Sequence, residues 1–131
     1  MNPTLKKMFF KGQEPVLLLE APPEFTSVAA DFGVSVFTSA QGAKFKSPFI
    51  LAFAQSQAQA KKAAAVAAKS LEEGGMFWLA YPKGTSKKYK KSDLNRDTGH
   101  ELMQGLGFDG VSLVAIDNDW SAMRYKRLEK K

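Results

Sequence analysis

A run of six apolar or aromatic residues, at 76–81, constrains the fold of this chain more than any other feature. It is too short for a helix and rich in aromatic side chains, which predicts a central strand of a sheet. Pro82 ends the strand, because proline has no N–H group to donate to a neighbouring strand. We expect Phe77 and Leu79 to face one layer of helices and Trp78 to face the other.

Other segments repeat this pattern along the chain. Unbroken apolar runs at 16–19 and 49–54 are typical of parallel strands covered on both faces, and further strands are predicted at 34–38, 111–116 and 122–128. Residues 39–48 read as a polar loop. A short helix is predicted to end at Phe32 before Gly33, and a long one to span 57–73 and close at Gly74-Gly75. The long helix is expected to pack through Ala60, Ala64, Ala67, Ala68 and Leu71, and a helix capped by Ser92 through Leu94, Thr98, Leu102 and Leu106.

The alternation of strands and helices defines the expected architecture. It predicts one α/β domain over residues 1–131, built as a three-layer, Rossmann-like and mostly parallel sheet. The link between the last two strands is too short for a crossover, so the sixth strand should run antiparallel to the others. The pattern looks like a shortened methyltransferase sheet that keeps its C-terminal antiparallel hairpin, and that analogy suggests the strand order 2-1-3-4-6-5.

The composition excludes several classes of protein. No apolar run approaches the roughly 18 residues of a membrane-spanning helix, and residues 1–15 lack the apolar core of a secretory signal. The chain has no cysteine, which excludes disulfides, thiolate metal sites and a cysteine nucleophile. We therefore expect a cytoplasmic protein that makes no contact with a membrane.

Positive charge is concentrated in one segment. The formal net charge is +6, and five lysines with no acid among them lie at 83–91, directly after the central strand. Ligands of open parallel sheets bind beyond the carboxyl ends of the strands, where the predicted N-terminus of the long helix also lies. The candidate residues for an anion-binding edge are Ser56, Lys83, Thr85, Ser86, Lys87 and Lys88. The alternative is a solvated loop, which lysine runs usually form.

Few other residues suggest chemistry. His100 is the only histidine, and its helical position predicts a side chain facing solvent, so neither a metal site nor a catalytic triad is expected. Asp117 and Asp119 fit a turn between strands. Trp120 fits an aromatic anchor of the hairpin, and the alternative is an exposed platform on which a base or sugar stacks.

Five segments together resemble a family of small bacterial proteins with no assigned function. They read LKK, VLLLEAP, GGMFWLAYPK, SDLNRDTG and VAIDNDWSAMRYKR. The resemblance implies a methyltransferase-like fold and a cytoplasmic bacterial setting. The resemblance implies no catalytic residue in this chain, because none is established in that family.

The resemblance raises the question of S-adenosylmethionine binding. Such enzymes need glycines in the turn after the first strand and usually an acid after the second. This chain has Glu20-Ala21-Pro22-Pro23 at the first position and Thr38-Ser39 at the second. We therefore predict that no cofactor is bound.

Three hypotheses for function follow. The first is a non-enzymatic binding or interaction module whose basic edge contacts a phosphate-containing ligand or nucleic acid, weakly and without sequence preference. The second is a degenerate or unrecognised methyltransferase-like transferase that keeps a small-molecule pocket. The third is a protein–protein adaptor that uses Phe9 and Phe10.

Overall fold

The computed structural model describes residues 3–37, 46–83, 86, 94, 96–117 and 119–127. The elements in chain order are helix α1 (Pro3–Lys7), strand β1 (Val16–Leu19), a 3₁₀ turn (Pro23–Phe25), helix α2 (Thr26–Ala29), a second 3₁₀ turn (Ala30–Phe32), β2 (Val36–Phe37), β3 (Ser47–Phe53), α3 (Gln57–Ser70), β4 (Leu71–Pro82), α4 (Arg96–Gly105), β5 (Phe108–Ala115) and β6 (Trp120–Arg127). None of the helices within these ranges is long and apolar enough to cross a membrane.

The six strands form one sheet with the order β2-β1-β3-β4-β6-β5, which confirms the predicted order. Strands β2, β1, β3 and β4 pair in parallel, whereas β6 lies antiparallel between β4 and β5. The parallel strands β1, β3, β4 and β5 therefore all end at one side of the sheet, which we call the carboxyl edge.

Helices cover both faces of the sheet and enclose two hydrophobic cores. Phe77 and Leu79 lie in the core beneath α3 and α4, where the alanines of α3 allow close approach to the sheet. Trp78 lies in the opposite core, beneath α1 and the segment 23–32. The predicted alternation of side chains along the central strand is confirmed.

The boundary between α3 and β4 differs from the predicted one. The helix ends at Ser70, three residues before the predicted end, and β4 begins at Leu71. Pairing of β4 with β3 is interrupted over 72–75, so Gly74 and Gly75 serve a bulge and do not close the helix. Gly74 has a φ of +76°, and a Cβ on Gly75 would lie 2.9 Å from the Leu71 side chain.

Two predicted strand boundaries also need correction. β2 spans only Val36–Phe37, and Thr38 lies outside the described residues. β3 begins at Ser47, so Pro48 belongs to a central strand although we expected it in a loop. A proline is tolerated there because the pairing of β3 with β4 is irregular between Ser47 and Phe49.

The helices present faces slightly different from those expected. On α3, Ala63 is buried and Ala68 is exposed. Leu94 is buried as predicted, but Leu106 is 44% exposed, because α4 ends at Gly105 and Leu106 lies in the turn beyond it. Met103 takes its place in the core. The predicted cap, Ser92, lies outside the described residues.

Candidate functional site at the carboxyl edge

The turn after β1 begins at Glu20, whose backbone adopts a left-handed conformation with a φ of +54°. Side chains other than glycine rarely adopt this conformation, because Cβ approaches the following carbonyl oxygen. Pro22 and Pro23 follow, and Pro23 is the first residue of the 3₁₀ turn. The backbone thus makes a sharp left-handed turn at the end of the first strand without a glycine.

Ser56, a candidate residue of the anion-binding edge, is the N-cap of α3. Its Oγ accepts a hydrogen bond from the Gln59 backbone N–H at 3.2 Å. The Gln59 side chain also bonds back to the residue before the cap, since its Oε1 accepts a hydrogen bond from the Gln55 N–H at 2.6 Å. This reciprocal pattern fixes the first turn of α3.

A pocket of about 360 Å³ lies between the end of β1 and the first half of α3. Apolar side chains form most of its wall, and three residues add polar groups: a carboxylate, an amide and an ammonium. Its lining residues are Leu19, Glu20, Phe53, Gln59, Lys62, Ala63 and Val66. We call it the β1–α3 pocket. It combines opposite charges with an apolar wall, which suits a small molecule that carries both charges.

The hairpin turn between β5 and β6 lies at the same edge. Asp117 Oδ1 accepts hydrogen bonds from the backbone N–H groups of Asp119 and Trp120, both at 2.8 Å. The predicted role of Asp117 as a turn residue is confirmed. Its carboxylate is used to hold the turn, as Asx turns do.

Two residues of the predicted anion-binding edge contact this hairpin. The Lys83 backbone N–H donates to the Asp119 carbonyl at 2.8 Å, and the Ser86 hydroxyl donates to Asp119 Oδ1 at 2.7 Å. The Ser86 hydroxyl therefore faces a carboxylate, and the Ser56 hydroxyl caps α3. Thr85, Lys87 and Lys88 lie outside the described residues, so the anion-binding edge stays a prediction.

Trp120 does not form an exposed stacking platform. Its side chain is 1% exposed, and its ring packs edge-on against Phe53 with 5.0 Å between centroids. The indole Nε1 donates to Glu24 Oε2 at 3.1 Å. The alternative reading of Trp120 is therefore wrong, and the residue is a core anchor that links β6 to the first 3₁₀ turn.

His100 is half-buried, which corrects the prediction that it faces solvent. It lies against β5, where a Cβ on Gly110 would come within 3.4 Å of its Nδ1. No group of three or more histidine and acidic side chains that could hold a metal ion occurs among the described residues.

No local sequence pattern indicates the β1–α3 pocket. Lys62 and Gln59 lie on a helix with ordinary surface spacing, and only the fold brings them to the end of β1. The one signal in the sequence is Glu20, because a charged residue at the end of a buried strand lies where ligands bind. Glu20 is not among the residues predicted for the anion-binding edge.

Comparison with known proteins extends this description. No family model matches the chain, and no curated protein matches it. Solved structures do match. The CcbJ methyltransferase from Streptomyces caelestis has a TM-score of 0.60 at 10% identity, over 96% of this chain and 88% of that one. The fibrillarin pre-rRNA processing protein from Methanococcus jannaschii has a TM-score of 0.57 at 15% identity, over 98% and 77%.

A third match is a TehB-like SAM-dependent methyltransferase from Corynebacterium glutamicum, with a TM-score of 0.55 at 8% identity over 95% of this chain and 85% of that one. At these identities the likeness establishes the fold, which is the methyltransferase-like fold that the sequence resemblance implied. The prediction of a non-enzymatic module is wrong in the light of these matches, because several of the matched proteins are named as methyltransferases or methylases.

The residues after β1 do not fit S-adenosylmethionine held by a glycine-rich turn. Glu20 stands at the left-handed position, where a side chain narrows the approach of a cofactor to the backbone. Pro22 and Pro23 have no N–H groups to offer. The Phe25 N–H is already bonded to the Pro22 carbonyl at 3.0 Å. Pro22, Pro23 and Phe25 therefore offer no free backbone donor to a nucleotide, unlike a glycine-rich turn.

Proposed function

We propose that the protein is a diverged methyltransferase-like transferase whose small-molecule site is the β1–α3 pocket. The observation that carries the proposal is the position of the pocket at the ends of β1 and β3. Open parallel sheets bind their ligands at this edge. The volume of about 360 Å³ lies within the range of small-molecule sites.

The lining residues suggest which part of a ligand is recognised. The Glu20 carboxylate complements an ammonium group, and the Lys62 ammonium complements a carboxylate. Leu19 and Val66 offer an apolar wall to a short side chain. These features match an amino acid with an apolar side chain, and L-methionine is a suitable probe. A nucleoside would lack its usual anchor in the turn after β1.

Thermal melts at constant ionic strength test the proposal. L-methionine should raise the melting temperature saturably, since a ligand stabilises the folded state by RT ln(1 + [L]/Kd). S-adenosylmethionine should stabilise no more than L-methionine does at equal concentration. Greater stabilisation by S-adenosylmethionine than by L-methionine would show that the turn after β1 does hold a nucleoside. No stabilisation by either compound would contradict the proposed site.

A pair of neighbouring lysines supplies the matched control. Lys62 lines the pocket, whereas Lys61 is exposed on the same helix and does not line it. Lys62→Met should abolish the stabilisation by L-methionine, and Lys61→Met should preserve it. Equal losses in the two variants would indicate a diffuse effect of charge and no defined site.

A further inference from the structure

Three adjacent residues on one face of the sheet each carry a buried polar atom without a hydrogen-bond partner among the described residues. The atoms are Trp78 Nε1 on β4, Arg124 Nε on β6 and Ser112 Oγ on β5. Trp78 pairs with Arg124 across β4 and β6, and Arg124 pairs with Ser112 across β6 and β5. Directly opposed residues lie on the same face with Cβ atoms about 4.5–5.5 Å apart. We call these three residues the polar row.

Arg124 brings a positive charge and forms no ion pair within the described part of the chain, although Glu72 and Glu73 line the same cavity. Its guanidinium carbon lies 5.0 Å from the centre of the Phe9 ring, and Nη1 lies 3.8 Å from the Met76 sulfur. Neither group carries negative charge. Lys6 and Lys11 lie beside Phe9 and add to the positive potential. A partly buried cation without a counter-charge is costly, so an anion is the natural complement.

The hydrogen-bonding groups of the polar row also favour an anion. An indole N–H and a guanidinium N–H can only donate, and a serine hydroxyl can donate as well. Trp78 is fully buried, so bulk water does not satisfy its N–H group. A group that accepts three hydrogen bonds and carries negative charge satisfies all three atoms and Arg124 together.

We propose that the polar row binds a small anion, of the size of formate or bromide, through Trp78 Nε1, Arg124 Nε and Ser112 Oγ. The site lies on the opposite face of the sheet from the β1–α3 pocket and does not depend on the proposed function. The anion is a halide or the carboxylate of a small molecule. These two sources share the chemistry that the donors recognise.

The surroundings of Arg124 provide both an approach and a cover. Arg124, Met76 and Val111 line a cavity of about 800 Å³ near the bulge of β4. Its wall also carries the acids Glu72 and Glu73 and the cations Lys126 and Arg127. Phe9 is 46% exposed, and its φ of +59° belongs to the left-handed cap that ends α1, where the Phe9 and Phe10 N–H groups donate to the Lys6 and Leu5 carbonyls. This cap places the Phe9 ring 5.0 Å from the guanidinium carbon, on the outer side of the row.

Nuclear magnetic resonance of the wild-type protein gives the first test. The chain has two tryptophans, so its spectrum has two indole N–H signals, which Trp120→Phe assigns. Sodium formate, or sodium bromide in a second series, replaces a bulky organic sulfonate at constant ionic strength. The Trp78 signal should move saturably in at least one series, while the Trp120 signal, bonded to Glu24, stays in place. A halide site responds to bromide alone, and a carboxylate-selective site to formate alone. A Trp78 signal that moves in neither series, or both indole signals moving in parallel, would overturn the proposal.

Two arginines on β6 give the second test. Arg124→Met should weaken the affinity for formate about tenfold or more, because charge-assisted hydrogen bonds are lost. Arg127→Met is the control, since its guanidinium bonds carbonyls at the end of α3. Equal affinity in the wild type and Arg124→Met would overturn the proposal. If Arg124→Met does not fold, Ser112→Ala replaces it, and an unchanged affinity in that variant would have the same meaning.

Discussion

Glu20 combines a left-handed backbone with a place in the β1–α3 pocket. At a φ of +54° glycine avoids the steric cost that any Cβ atom brings, about 1–2 kcal/mol. Part of this gain is offset by the greater freedom of glycine in the unfolded chain. The conformation is thus kept at some cost to stability, as expected of a residue selected for its side chain.

Substitution at Glu20 separates the backbone from the side chain. We expect Glu20→Gly to be more stable than Glu20→Ala by about 1 kcal/mol, because both lack the carboxylate and only glycine relieves the left-handed strain. Urea unfolding of the two variants measures this difference. A Glu20→Ala variant as stable as Glu20→Gly would show that position 20 is not strained.

Tyr125 is a buried residue with a predictable dependence on pH. Burial, with a smaller contribution from Tyr81, raises the pKa of its phenol above the ordinary value of 10.0. In the unfolded chain the phenol ionises at about pH 10, while in the folded protein it stays protonated. The free energy of unfolding should therefore be fully retained below about pH 10 and fall as the pH rises further.

Tyr125→Phe should remove this part of the pH dependence. Urea unfolding between about pH 9 and 11 is compared for wild type and variant, so that the lysines, which titrate in both, cancel. The free energy of unfolding of the wild type should fall relative to that of Tyr125→Phe as the pH rises. Parallel curves would contradict the assignment to Tyr125.

Trp120 shows a limit of prediction from sequence. The burial of Trp120 followed from its type and place, and its stacking role remained an alternative because nothing local excluded it. Only the fold brings Phe53 and Glu24 to the indole ring and decides the question.

At the scale of elements, the end of α3 depends on a residue far along the chain. Arg127 Nη2 donates to the carbonyls of Ala67, Ala68 and Leu71 at 3.2, 2.9 and 2.8 Å. The Ala67 carbonyl also accepts from the Leu71 N–H that closes the helix. The Arg127 guanidinium adds a charged donor at this end, where helix carbonyls run out of partners, and it complements the helix dipole. The sequence pattern predicts that the helix ends at Gly74-Gly75, which is wrong. Arg127 lies 56 to 60 positions from the carbonyls that it contacts, so no local pattern shows this contact.

Removal of this contact should destabilise the protein. We expect Arg127→Met to lower the free energy of unfolding by about 1 kcal/mol, since the carbonyls lose a charged donor. Lys126→Met, at the exposed neighbouring position, should have little effect. Thermal melts compare the two, and equal stability would mean that the contact contributes nothing to folding.

At the scale of the whole molecule, the sheet was the most predictable feature. The continuous apolar runs of β1, β3 and β4 predict buried parallel strands, and the short link from β5 to β6 requires an antiparallel hairpin. The β1–α3 pocket was not predictable in the same way. Glu20 and Lys62 are 42 positions apart in sequence, and no local pattern joins them.

The central position of β4 gives a prediction about global stability. Phe77 is fully buried, so Phe77→Ala should cost about 3–5 kcal/mol. Leu113 on the edge strand β5 is 44% exposed, and Leu113→Ala should cost less than about 1 kcal/mol. Thermal melts that rank the two variants in the opposite order would contradict the position of β4 at the centre of the fold.

The central claim is that this methyltransferase-like fold keeps a small-molecule site in the β1–α3 pocket. The most direct test is a chemical-shift map of backbone amides during titration with L-methionine. We expect saturable shifts of the amide signals of Leu19, Glu20, Lys62, Ala63 and Val66, and none for Lys83 or Ser86. Saturable shifts confined to Lys83 and Ser86, or no saturable shift of any amide, would contradict the proposed site.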